Sequence, residues 1–409
     1  MTAEAAPDTG CPTPGPPPRA RLAPLVLPVF LPSAVYGLGN GAAAPMFPLR
    51  ALELGASPGL AGLVVALSGF GMILMDLPAG SIVARLGERV AIALGSAAGA
   101  LGMLAAIFAP NIAVFGAGML LTGAATAVWG LARQSYVVAV VPAADRGRVL
   151  SVFAGSMRLG FFAGPFLGAA IVHGAGPVGA LWVQLGAVVL AGGLVAVMPE
   201  PEDGAAAKGV TGLGTVLREQ RGLLTTLGSG ALLMGAARAS RQVLLPLWAA
   251  HIGADAAVVA LLFGIAGAVD VLMSYPAGLW MDRFGRRAIG VPSMLCFAAG
   301  YAVLPFAGSV PWLGVVAMLL GLANGLSNGV IMTVGADIAP PDRRAEFLGA
   351  WRLTHDFGMF AGPITIGVIG AVSMLGGAAV VLAAAAGAGA IAMYRWFPGP
   401  GGVLRDSAR

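Results

Sequence analysis

Residues Gly278–Arg287 read GLWMDRFGRR. Long apolar runs stand on both sides, so Asp282, Arg283, Arg286 and Arg287 form a tight charged turn between two hydrophobic segments. In lipid, charge is tolerated at helix ends or in watered interiors, so this turn lies at a membrane face. A second copy stands 198 residues earlier. Pro78-Ala79-Gly80 matches Pro276-Ala277-Gly278, and Arg85, Gly87 and Arg89 match Arg283, Gly285 and Arg287. The first copy differs in having Ala84 at the acidic position and Glu88 where the second has a base.

Composition agrees with this reading. Of 409 residues, 58% are hydrophobic and 10% charged, against about 25% charged in soluble domains. The 63 glycines suit close helix packing in lipid, where small residues let backbones approach. The net charge of +5 reads as membrane topology, with no nucleic-acid partner, because the bases sit in short loops. Cys11 and Cys296 lie in a tail and in an apolar run, which implies no disulfide framework. Cys11 follows no apolar run, so no lipoprotein signal is read, and no cleavable signal peptide is visible.

Apolar runs recur at roughly 24–46, 58–83, 90–110, 112–139, 149–173, 177–198, 223–247, 256–281, 288–308, 311–335, 347–370 and 372–394. Each approaches the ~20 residues needed to cross a bilayer. The chain is thus expected to be an all-α membrane protein with about twelve spanning helices in two six-helix repeats. Expected boundaries are a disordered Pro-rich tail over 1–22, one half over 23–198, a polar linker over 199–222, a second half over 223–394 and a tail over 395–409. Pro48-Leu49 with Pro246-Leu247, Gly55-Ala56 with Gly253-Ala254, Gly123 with Gly321, Pro142 with Pro340 and Arg146 with Arg344 hold the 198-residue register. Alternate loops, the linker and the tails carry 17 of the 23 bases on one side, while the opposite loops hold Arg50. The positive-inside rule then expects both termini in the cytoplasm.

The turn Gly278-x-x-x-Asp282-Arg283-x-Gly285-Arg286-Arg287 resembles the loop signature of the major facilitator superfamily. There it joins the second and third helices of a six-helix half on the cytoplasmic side. Gly160-x-x-x-Gly164-Pro165-x-x-Gly168 further resembles the fifth-helix motif of that family's drug:proton antiporter branch, with Ala169 where the branch has another glycine. Residues 358–363 repeat this motif in the eleventh helix, so a packing bend common to both halves is the competing reading. A fourth-helix arginine motif of the branch is absent, since Met119 stands at its position. The resemblance covers about residues 24–394. It implies two halves that rock about a central site, lined by helices 1, 4, 7 and 10 and near the bilayer midplane.

Ionisable residues inside the predicted spans are the strongest functional pointers, because each costs at least ~2.5–3.5 kcal/mol to insert. They are Asp76, Asp270, Asp356, His355, Arg133, Arg158, Arg238, Arg241 and Arg352. Counted from the basic side, Asp76 lies ~12 Å deep, Arg352 ~9 Å, and Asp270 and Arg158 ~15–18 Å. In the resembled fold helix 2 faces helix 11 and helix 5 faces helix 8. We therefore expect the inter-half pairs Asp76–Arg352 and Asp270–Arg158 when the cytoplasmic side is closed, with protonation of an aspartate loosening the gate. Asp356 is a further proton candidate, with His355 beside it. Arg133 suits an anionic group, a pair with Asp76, or snorkelling toward headgroups. Arg238 and Arg241 suit an anion or an acid such as Asp270. Tyr36, Asn40, Trp129, Asn324, Ser327 and Asn328 are the remaining cavity candidates.

The sequence has no Gly-x-x-x-x-Gly-Lys-Ser/Thr and no His-Glu-x-x-His. No P-loop ATPase, zinc hydrolase, metal site, cofactor or enzymatic activity is expected. The expectation is a monomeric secondary transporter of the bacterial cytoplasmic membrane whose partners are a small-molecule substrate, protons and the lipid bilayer. Proton-coupled export of amphipathic molecules is the leading reading. Proton symport of an organic anion is the alternative within that class, and a membrane sensor or scaffold is the alternative outside it.

Overall fold

The computed structural model describes residues 22–142, 145–196, 218–340, 344–372 and 374–398. The expected N-terminal tail, most of the linker, the end of the C-terminal tail, Cys11 and Arg343 lie outside these residues. Among the described residues every regular element is helical. Spanning helices are α1 (Ala23–Ala43), α2 (Pro58–Leu86), α3 (Glu88–Ile107) and α4 (Ile112–Val140). Arg146–Ala196 is one continuous assignment, but Gly176 is non-helical at φ 62° and is followed by Pro177, so α5 (146–175) and α6 (177–196) are two crossings. The second half follows with α7 (Arg221–His251), α8 (Ala256–Phe284), α9 (Arg287–Val303), α10 (Val310–Ser327, resumed by Val330–Ile338), α11 (Arg344–Val372) and α12 (Leu375–Trp396). The twelve-span expectation therefore holds. Ten of the assigned helices are apolar enough to cross, one of them the fused α5–α6, and the 31-residue α7, which carries Arg221, Arg238 and Arg241, is long enough but falls outside those ten.

The repeat is visible in the backbone. Gly87 (φ 78°) ends α2 and Gly285 (φ 87°) ends α8, in a conformation that L side chains rarely adopt. The charged turn can be this short because each copy carries glycine there. Gly55 and Gly253 form a second matched pair at φ 81° and 79°. Around the turns, Arg286 reaches Asp337 at 2.8 Å and Arg287 bonds the Tyr394 carbonyl at 3.2 Å while stacking on its ring. Asp282, Arg283 and Arg85 are exposed. Glu88, which stands where the second copy has a base, is buried and accepts from Ser135 at 3.0 Å.

Helix contacts repeat at the same offset. A methyl group on Gly160 would strike the Ala34 carbonyl, and one on Gly358 the Leu232 carbonyl. Gly164 and Gly362 press on Leu38 and Ala236 in the same way, as do Gly123 and Gly321 on Ser68 and Ala266. The α5 motif Gly160, Gly164, Pro165 and Gly168 thus seats α5 on α1, and its copy seats α11 on α7. In both halves the motif performs the same packing, which is the competing reading given above.

Between the halves, two antiparallel seams form. Gly59, Gly62 and Gly69 of α2 meet Ala371, Gly367 and Phe360 of α11, while Phe166 and Phe162 of α5 meet Gly264 and Gly267 of α8. All of these contacts lie toward the face opposite the basic turns. Farther toward the basic face, Gly155 and Gly278 have nothing within 4 Å, nor does Gly349. The seams are closed at one face and parted at the other, so the molecule opens toward its basic face. Gly358→Ala is expected to destabilise the protein by about 1–3 kcal/mol through overpacking, whereas Gly193→Ala, which meets nothing, should be neutral. Thermal unfolding of the two variants in detergent checks this.

Candidate functional site

Where the seams part, the two halves enclose a cavity of about 350 Å³. Its charged lining comes from Arg158 of α5, Arg238 and Arg241 of α7, and Asp270 of α8. Phe153, Met157, Phe161, Phe162 and Met359 supply an apolar wall. The volume lies in the range of drug-sized ligand sites.

Asp270 is placed by a helix break. Asn328 is extended at ψ 129° and Gly329 is left-handed at φ 81°, so α10 stops and restarts at this level. The break turns the Asn328 amide toward α8, where Nδ2 donates to Asp270 Oδ1 at 2.7 Å and to Ser274 Oγ at 2.8 Å. Asn324, one helical turn earlier, donates to Asp270 Oδ2 at 2.5 Å. Arg238 Nη2 donates to Asn328 Oδ1 at 3.1 Å. A relay therefore runs from the Asp270 carboxylate through one amide to a guanidinium. Arg241 is 3% exposed, and its Nε and Nη1 are buried with no hydrogen-bond partner. Its guanidinium carbon stands 5.9 Å from the Phe263 ring centre.

The expected pair Asp270–Arg158 is not made here; each Asp270 oxygen instead accepts from an asparagine amide. Arg158 is exposed in the same cavity. Carried along from Phe162 against Gly267, the seam register puts Arg158 opposite Asp270. The other expected pair, Asp76–Arg352, is likewise replaced. Arg352 pairs with Asp356 one turn along its own helix at 3.3 Å, and His355 Nδ1 lies 3.2 Å from the other Asp356 oxygen. Asp76 stays within electrostatic reach of both Arg352 and Asp356 across the seam. Each pair thus sits just beyond the last inter-half contact, on the parted side, which is why neither closes in this conformation.

Other candidates fall elsewhere. Tyr36 and Trp129 do not line the large cavity. Their rings stack at 3.9 Å within the first half, and the Tyr36 hydroxyl meets Thr126 at 2.9 Å. Behind them Ser96, Thr122 and Gln184 join Trp129 around a space of about 10 Å³, roughly the room for one water. Arg133 is 2% exposed. It donates to the Val29 carbonyl and to Ser33 Oγ (2.6 Å) on α1, and stacks over Trp129 and Phe153. It neither snorkels nor meets Asp76. Asn40 is half-buried on α1 away from the cavity lining. Sequence reasoning missed Gln242, Ser274 and the α5 aromatic wall. Ser274 lies one helical turn past Asp270 and Gln242 follows Arg241, so helical spacing from the charged residues was the available signal. Among the described residues no cluster of His, Cys, Asp or Glu could hold a metal ion.

A family model described as Major Facilitator Superfamily matches residues 29–240 and again 227–408. The class E tetracycline resistance protein of Escherichia coli is 30% identical over 106 residues, which is 26% of this chain and 26% of that protein. The chain therefore aligns with about a quarter of that relative's length. A solved nucleoside transporter, NupG, superposes with a TM-score of 0.70 at 15% identity, covering 91% of this chain and 98% of that one. A D-xylose-proton symporter superposes at 0.71 with 16% identity, covering 91% and 98%. These two likenesses bear on the fold.

Asn328→Ala removes two amide bonds to α8 and one acceptor for Arg238, leaving a part-buried carboxylate oxygen short of a donor. It should lower stability by about 1–3 kcal/mol, and by more than Ser274→Ala, as measured by thermal unfolding of the purified protein.

Proposed function

The chain belongs to the Major Facilitator Superfamily and is a membrane transporter rather than an enzyme, and on that premise we propose that it exports amphipathic small molecules in exchange for protons. The basic face is then cytoplasmic, by the positive-inside rule, and the conformation described is open to the cytoplasm. What carries the reading is Asp270: a carboxylate in the central cavity, donor-bonded to Asn324 and Asn328 and in register with Arg158 across an open seam. Resemblance to the drug:proton antiporter branch and the short match to tetracycline resistance proteins support export of drug-like solutes.

In this mechanism the two seams zip at one face at a time. When Asp270 is ionised and the basic side closes, Arg158 arrives at its carboxylate, and Arg352 turns from Asp356 toward Asp76. Both pairings draw the halves together at the cytoplasmic face and open the outer one. A proton reaching Asp270 from outside removes the attraction, since a neutral carboxyl has no charge to offer Arg158. The seam then parts again. A ligand shifts such an equilibrium only through differential affinity for the two states, and Arg238 links the ligand cavity to Asp270 through Asn328.

Symport of an organic anion is the second reading, favoured by the excess of guanidinium groups in the cavity. Purified protein in liposomes with a trapped pH dye decides between the two. Under an imposed pH gradient, a transported amphipath should release protons down their gradient while moving the other way. Asp270→Asn should cut this coupled flux at least about tenfold, equivalent to ~1.4 kcal/mol. Movement of proton and solute together would select symport, and coupled flux at the wild-type rate in Asp270→Asn would remove Asp270 from the mechanism.

A further inference from the structure

The cavity holds more positive charge than its own residues neutralise. Arg158, Arg238 and Arg241 face one carboxylate, Asp270, whose two oxygens are already engaged by Asn324 and Asn328. Arg238 spends one N–H on Asn328. Arg241 is the informative residue. It is almost wholly buried, its Nε and Nη1 have no acceptor, and it lines the cavity. A guanidinium carries five N–H donors and stays charged in proteins. Burying it without an acceptor is unfavourable unless an acceptor arrives with a ligand. Planar donors of this kind match two-oxygen anionic groups, which they bind in a bidentate manner. Phe161 and Phe162 of α5 and Met359 of α11 offer an apolar surface in the same cavity.

We propose that the substrates of this site are amphipathic organic anions. The charged head, a carboxylate, sulfonate or phosphate, sits on Arg241 and Arg238, and a compact apolar body lies against Phe161, Phe162 and Met359. The inference names the substrate class of the exporter reading and rests on it for the direction of proton flow. It also has an electrical consequence. Exchanging an outgoing monoanion for an incoming proton moves two charges in one electrical sense per cycle. Symport of the same anion with one proton moves none.

The test uses the full chain in liposomes with two fluorescent probes that share one ring system, dansylate and dansylamide. The sulfonate is permanently ionised, so it does not carry protons through lipid by itself. Dansylate should half-saturate the protein at about tenfold lower concentration than neutral dansylamide. Arg241→Gln should remove most of that preference, and Arg241→Lys should restore part of it by keeping the charge. Dansylate efflux against incoming protons should speed up with an inside-negative potential. Equal or tighter binding of dansylamide, or no response to either probe, would overturn the anion site. The wild-type comparison gives this result even if a variant fails to fold. Protons exchanged for dansylamide alone would overturn the anion site and leave the exporter reading standing. Protons moving together with dansylate, insensitive to potential, would uphold the anion site and overturn the exporter reading.

Discussion

A charge inside a membrane-spanning helix has to be met by another polar group, and this constraint organises the molecule. Only 10% of the residues are charged, and most of those are in loops. Apart from Arg133, which bonds α1 inside the first half, those of the predicted spans gather at two places, both where the halves face each other. In the conformation described, each is satisfied within its own half or left with unused donors. Asp270 is held by asparagines from a broken α10, Arg352 by Asp356 on its own helix, and Arg241 is left with unpaired N–H groups. The proposed mechanism adds a second arrangement, in which the same side chains exchange partners across the seam. Two packings with comparable polar satisfaction are what an alternating transporter needs.

The glycines make such an exchange mechanically feasible. Within each half, α1–α5 and α7–α11 press backbone to backbone through Gly160, Gly164, Gly358 and Gly362. Between halves, contact rests on Gly59, Gly62, Gly264 and Gly267 near one end only. Tight packing inside each half and a short zipper between them favour rigid-body rocking. The repeat is carried by these glycines, while the chemistry sits where the repeat is broken. Arg158 in α5 corresponds by position to Asp356 in α11, and Asn40 in α1 to Arg238 in α7. Each half holds what the other lacks.

The fold was legible because its determinants are local: apolar runs of span length, alternating basic loops, and a glycine at each tight turn. The matched φ values of Gly87 and Gly285 give the sequence repeat its physical basis. Much of the site was legible too, since Arg238, Arg241, Asp270, Asn324 and Asn328 are polar residues in an apolar background. What could not be read was partner choice. Spacing along one helix gives depth, but the break at Asn328–Gly329 decides which amide reaches Asp270, and that depends on backbone geometry. Tyr36 and Trp129 were misplaced for a related reason. Their rings are satisfied by stacking on each other, and a sequence does not show which face of a helix its neighbour covers.

The central claim is that the charge on Asp270 decides whether the basic face is closed. Spin labels at Ser81→Cys on α2 and Gly349→Cys on α11, in a background free of native cysteine, report the width of that opening by pulsed electron resonance. Shorter separations are expected to be populated in wild-type protein, where Arg158 can meet the charged Asp270 carboxylate and draw the seam in, and Asp270→Asn should show the long separation alone. An Asp270→Asn distribution that matches the wild type would contradict this.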